Sequence, residues 1–240
     1  MRRSLWIVCG GLFFLLCLLM ASPAWLVTDF ALKKLPQLQL GSVSGSVWRG
    51  RVDTAKYGDI TVTDLHWHLS LLGIFRGVPL AIDVAGPVKG HAELGVGGNN
   101  TLRLRNVLAQ GGIAELMAVA NLPSMGFDGG LSVELAEASI TNTGCVDISG
   151  TFTLASLLGD IDGISDIAPV AAALNCENGL LVAVVDENNP TRVRGKVQLM
   201  NNGRLKGQLM LTPAPASLLY KSLSQFLGAP RNKTDFVLRF

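Results

Sequence analysis

The sequence predicts a mainly β protein, a curved antiparallel sheet with two short helices, preceded by one transmembrane helix. Three observations predict it. An uncharged apolar stretch opens the chain, short segments of alternating apolar and polar residues follow it to the C-terminus, and glycine recurs inside those segments. Composition agrees: 49% of residues are apolar, enough for a sizeable core, and 27 glycines in 240 residues suit turns and bends better than long helices. Without Arg2 and Arg3 the basic residues number 18, equal to the acidic ones. A neutral exported part offers no field for nucleic acid.

The N-terminal segment comes first. Ser4 to Val27 carries no charge, and a helix needs about 20 mostly apolar residues to cross the hydrocarbon core. Residues 5–27 are therefore expected to be a transmembrane anchor, with residues 1–4 held in the cytoplasm by Arg2 and Arg3. Lys33 and Lys34 oppose that orientation, partly offset by Asp29. Trp6 and Trp25 stand near the two ends, where indole rings favour the interface. The rival is a cleaved signal peptide, for which Ser22-Pro23-Ala24 supplies small residues, but a signal core runs about 7–15 residues and this one is longer. No lipobox precedes Cys17, so lipidation is not expected. Residues 28–40 read as a linker. Residues 41–240 show no compositional break and read as one exported domain.

Alternation marks about ten strands, among them Val43–Trp48, Thr61–Leu69, Ala81–Val84, Thr101–Arg105, Gly130–Leu135, Val146–Leu154, Leu180–Val184, Val193–Leu199, Leu205–Leu211 and Phe236–Phe240. Gly95 to Asn100 reads as a hairpin turn, since Gly and Asn tolerate positive φ. A loose apolar-x-Gly-x-apolar repeat runs through Val43–Val47, Ile148–Phe152, Val193–Val197 and Leu205–Leu209. Glycine inside a strand marks a bend or a close backbone approach, so the repeat predicts a curved sheet. Its apolar face is either the inside of a core or a groove. Apolar spacing of three or four residues from Leu157 to Leu174 predicts one helix, although Gly159, Gly163 and Pro169 interrupt it. A second is predicted from Pro215 to Gly228.

Cys9 and Cys17 fall in the apolar segment and read as small fillers. Cys145 and Cys176 fall in the exported part, where thiols oxidise, and read as one structural disulfide. His66 and His68 share a strand face and, with His91, are the metal candidates, but no third ligand or second shell is legible and a solvated face is the better reading. Asp160, Asp162 and Asp166 lack the glutamate and spacing of a calcium loop. There is no GxSxG, phosphate loop or HExxH. No metal, cofactor or catalytic residue is expected.

The apolar segment, a Gly-x-x-Trp-x-Gly turn and one exported cysteine pair together resemble the type II secretion system protein N family. Gly45-Ser46-Val47-Trp48-Arg49-Gly50 resembles its Gly-Thr-x-Trp-x-Gly stretch, with Ser46 in place of threonine. Leu65 to Leu69, containing Trp67, and the following Leu71–Gly77 resemble its second aromatic strand and turn. The segments around Cys145 and Cys176 resemble its paired-cysteine region. The resemblance marks Gly45, Trp48, Gly50 and Trp67 as family-like positions.

It implies an accessory, non-catalytic component of the bacterial inner membrane, single-pass, with the bulk of the chain in the periplasm. This component would support export of folded proteins across the outer membrane. The implied partners are inner-membrane platform, pseudopilus or outer-membrane channel proteins, and no nucleic acid. The family in turn is similar to AsmA-like proteins, whose curved sheets have apolar interiors; that is an analogy of fold. The alternative is a module binding lipid or hydrophobic segments in a curved-sheet groove. An outer-membrane barrel, suggested by the terminal Phe240, needs longer strands with an unbroken apolar outer face.

Overall fold

The computed structural model describes residues 20–58, 60–98, 101–119, 126–200, 203–230, 232 and 234–239, together with Gly10, Gly11, Phe13, Phe14, Cys17 and Leu18. No helix among these residues is long and apolar enough to cross a membrane. The expected anchor lies largely outside them, as do residues 1–4, Asn99–Asn100 of the expected turn, and Phe240.

Among the described residues, fourteen strands form one antiparallel sheet. β1 (Leu38–Leu40) and β2 (Val43–Gly45) follow one another along the same edge of β3 (Arg49–Tyr57). From there each strand pairs with the next in sequence: β4 (Ile60–Leu69), β5 (Leu80–Ala85), β6 (Lys89–Val96), β7 (Leu102–Gly112), β8 (Gly130–Thr141) and β9 (Gly144–Leu154), then β10 (Val170–Glu177), β11 (Leu180–Val185), β12 (Arg194–Leu199), β13 (Leu205–Leu211) and β14 (Phe236–Arg239). The path does not return from β14 to β1, so the sheet is open rather than a closed barrel. Helices α1 (Trp25–Lys34), α2 (Leu71–Arg76), α3 (Ile113–Val119) and α4 (Leu218–Leu227) accompany it.

In a meander, alternate connections fall at opposite ends of the sheet. The β4–β5 connection with α2 and the β6–β7, β8–β9, β10–β11 and β12–β13 turns share one end, here the near end. The longer segments with α3 and α4, and the loop from 155 to 169, share the far end.

The glycine repeat acts as expected. A Cβ on Gly150 would lie 2.3 Å from the carbonyl of Glu134, and one on Gly195 2.1 Å from that of Gln208. At both positions the neighbouring strand's backbone comes too close for any side chain, which is how the sheet bends.

The helix expected over Leu157–Leu174 is not there. Its place holds a 3-10 turn at Ile164–Ile167 and then β10. Val170, Ala172 and Leu174 are buried while Ala171, Ala173 and Asn175 are exposed. That period of two won over the looser three-and-four spacing because β9 needed a partner for its free backbone groups. The C-terminal helix is present as α4, capped by the Ser217 hydroxyl accepting from the Tyr220 amide at 3.1 Å. The stretch expected as a linker, 28–40, continues α1 to Lys34 and ends in β1. Further short helices are α2, where the resemblance suggested a turn, and α3.

Candidate functional site

The register puts every other residue of each strand on one face. A single row across the sheet runs Val52, Leu65 and Val84, then through Ala109, Val133 and Phe152, to Val185, Leu209 and Leu238. Its remaining members are Gly90, Ala172 and Gly195. The rows towards the near end are also apolar: Trp67 faces Ile82, Leu104 faces Ala138, Leu174 faces Ala183 and Val197 faces Gly207. No charged side chain stands on this face along these rows. A curved sheet with such a face is an apolar trough.

The trough is filled unevenly. At one side Ala24, Val52 and Trp67 form a buried cluster, and at the other Val170, Val193 and Leu211 do so. Leu223 of α4 packs on the second, Leu219 is 1% exposed, and the Tyr220 ring meets Phe236 edge-on at 5.4 Å. Between them Val133, Leu135 and Phe152 remain only half-buried. Near the far end α3 crosses the trough and leaves a cavity of about 470 Å³, lined by Val62, Val84, Val88, Ala109 and Ala118, with Glu115 as its charged group. Such a space takes an apolar chain better than a polar substrate.

The four aromatic-motif residues converge on one spot. Gly45 opposes Gly50 on β2 and β3, and Gly50 opposes Trp67 on β4. The indole of Trp67 lies directly over Gly50, where a Cβ would sit 2.1 Å from Cζ2. Its Nε1–H donates to the carbonyl of Val47 at 3.1 Å, and the carbonyl of Trp48 accepts from the Leu69 amide at 2.8 Å. The chain just before α1 is tied to the same turn: the Ala24 amide donates to Gly45, and the Val47 amide donates to Ser22. The motif therefore works as a clamp that fastens the exit of the N-terminal segment to the sheet.

A disulfide joins Cys145 and Cys176, with Cα atoms 5.9 Å apart. β9 and β10 pair from Leu154–Val170 to Gly150–Leu174, and the bond ties them together beyond that point. Both cysteines pack on the cluster of Ala138, Ile148 and Leu174.

Polar groups are spread over the other face as pairs. His66 Nε2 lies 3.0 Å from Asp64, which also meets Arg51 at 2.8 Å, whereas His91 Nδ1 lies 2.7 Å from Asp83. Arg105 bridges to Glu137 across β7 and β8 at 3.1 Å. Asp160, Asp162 and Asp166 stay in the loop from 155 to 169. Among the described residues no group of three or more His, Cys, Asp or Glu could hold a metal ion. The Asp235 carboxyl is held below its usual range, chiefly by the Thr212 hydroxyl donating to it at 2.8 Å, with Arg194 adding attraction at 3.2 Å.

These observations join an aromatic clamp at the N-terminal side, a cysteine pair in the middle and an apolar curved sheet. The sequence matches the family described as type II secretion system (T2SS), protein N, over residues 36–239. The chain belongs to that family. No curated protein and no solved structure matches it. As a type II secretion protein N it has an accessory role in protein secretion. The match starts beyond the clamp's Ser22–Ala24 and includes the whole sheet. β3, β6 and β10 lie outside the strands that alternation predicts, so the continuity of the inner face emerges only in the fold. The one signal for it was the alternation inside Lys89–Val96, where Gly90, Ala92 and Leu94 alternate with charged or polar residues.

Proposed function

We propose that this protein N is a non-catalytic assembly component fixed in the bacterial inner membrane by residues 5–27, with residues 41–240 in the periplasm. It supports the export of folded proteins by contact with the platform, pseudopilus or outer-membrane channel. The observation that carries this reading is the family match along the whole sheet. Two features support contact as its work. Among the described residues no strand pairs with the outer edge of β1 or of β14, and such edges suit strand addition by a partner. Polar side chains on the outer face pair across strands, as Arg105 with Glu137 and Lys196 with Glu177. The test is a deletion strain with a secreted enzyme assayed in medium and periplasm. The enzyme is expected to accumulate in the periplasm, and restoration should require the full chain. Undiminished release while the system is active would sink the reading.

A second reading is favoured by the half-buried trough floor at Val133 and Phe152 and by the cavity under α3. The trough would bind lipid or a hydrophobic segment. Reconstitution with a diazirine-bearing phospholipid and peptide mapping should place adducts on inner-face residues of β5–β9. Adducts confined to the N-terminal segment would reject it.

A further inference from the structure

The near end of the sheet differs from the rest of the surface. α2 is capped by the Ser70 hydroxyl, which accepts from the Gly73 amide, and ends at Gly77 with φ of 76°. Gly73 is its buried residue, and a Cβ there would lie 2.6 Å from the carbonyl of Val78. The helix thus closes on Val78 and Pro79 of its own connection through its glycine and turns its large side chains outward. Leu72 is 71% exposed and Phe75 89%, with Leu71 and Ile74 exposed beside them. A helix that belonged to a surface in water would be turned the other way. The neighbouring turns add Val96, 73% exposed, and Leu205.

Charge is sorted in the same direction. The connections at the near end, from 70 to 79, 97 to 101, 142 to 143, 178 to 179 and 200 to 204, contain no Asp or Glu, yet they bring Arg76 and Arg204. Arg103 lies beside Gly77 and Gly97 at the same end. The single acid at a strand end here, Glu177, is paired with Lys196. Every Asp and Glu outside the strands and α1 belongs to a far-end connection, among them Glu115, Asp128, Asp160, Asp162 and Asp186.

The N-terminal segment also leaves from this end. Ser22, Pro23 and Ala24 bond to the turn at Gly45–Val47, next to Leu69 where α2 begins. Just before that point Met20, Leu18, Phe14 and Phe13 are exposed, and Trp25 is exposed just after it.

We propose that the near end rests on the anionic bilayer that the N-terminal segment enters, with Leu72 and Phe75 among the lipid chains and Arg76 and Arg204 at the headgroups. Exposed apolar side chains flanked by arginines, with acids kept away, are what an anionic lipid surface selects. The strands then stand away from the membrane, with the acidic loops at the distal end. This inference rests on the reading of residues 5–27 as an anchor.

The test separates the two. In full-length chain with Cys9→Ala and Cys17→Ala, a single environment-sensitive fluorophore is placed at Leu15→Cys, Phe75→Cys or Ala155→Cys. Each protein is reconstituted into vesicles of phosphatidylethanolamine and phosphatidylglycerol carrying chain-nitroxide lipid. The expected result is several-fold quenching at positions 15 and 75 and none at 155, a far-end loop residue. Quenching at 15 without quenching at 75 overturns the inference and leaves the anchor standing. No quenching at 15 removes the anchor and the inference together, and equal quenching at 75 and 155 overturns the orientation. Replacing phosphatidylglycerol with phosphatidylcholine should lower quenching at 75; an unchanged value overturns the role of the arginines.

Discussion

Placing an alanine at position 50 would put its Cβ 2.1 Å from the Trp67 ring, so either the ring or β3 must move. Overpacking of this kind costs about 1–3 kcal/mol. Removing the ring itself, by Trp67→Ala, takes away a side chain only 8% exposed that packs on Ala24 and Val52 and donates to Val47. Truncations of buried tryptophan cost about 3–5 kcal/mol. If Gly50 is glycine because the indole lies over it, the two changes are not additive. Gly50→Ala in the Trp67→Ala background should cost almost nothing, since the added methyl enters the space the ring left. Independent effects would sum to about 4–8 kcal/mol, so the coupling is expected to exceed about 1 kcal/mol. The assay is urea unfolding of the full chain in detergent, disulfide intact, followed by far-UV circular dichroism because the variant changes fluorescence. Additive costs would refute the stacking argument. The same variants should raise protease cutting between Ser22 and Leu35, where the clamp is lost. A Trp67→Ala protein with that segment still protected would show that the clamp does not depend on the ring.

Three more predictions follow from the same geometry. Labelling in denaturant without reductant should find Cys145 and Cys176 unreactive, and the double change to serine should cost about 3–4 kcal/mol on the chain-entropy estimate for a loop of this length; reactivity at either thiol would reject the bond. Leu219→Ala should destabilise by about 2–5 kcal/mol, because the residue is 1% exposed, and a loss under about 1 kcal/mol would mean α4 is not docked. Asp235 has its carboxyl held below the usual range in the folded chain, so its contribution is complete above the unfolded value of 3.8 and is lost as pH falls through the lower folded one. Hydrogen exchange at Phe236–Arg239, corrected for intrinsic rates, should therefore rise on that acidic limb and lose this dependence in Asp235→Asn.

The alternation in Thr61–Leu69, Val146–Leu154 and Leu205–Leu211 was enough to read these segments as strands, because apolar and polar residues alternate there and period two follows from the pleat. Glycines at 150, 195 and 207 likewise announced the bend, since only a close backbone approach rewards a missing side chain there. β3 was illegible for the opposite reason. Arg49 to Tyr57 has charged residues on its outer face and buries only Val52 fully, so its pattern is faint.

What the sequence determined by itself was local: the apolar opening segment, the preference of each segment for strand, the cysteine pair free to bond, and the Gly45-to-Gly50 turn with its tryptophan. Tertiary structure decided which of these meet. Trp67 finds Gly50 through strand pairing, not sequence distance, and Ser22–Ala24 finds Val47 through the same turn. The meander decided the rest. By sending alternate connections to opposite ends it gathered α2, Val96 and Leu205 at one end and the loop acids at the other, a separation that no single loop carries in its own residues.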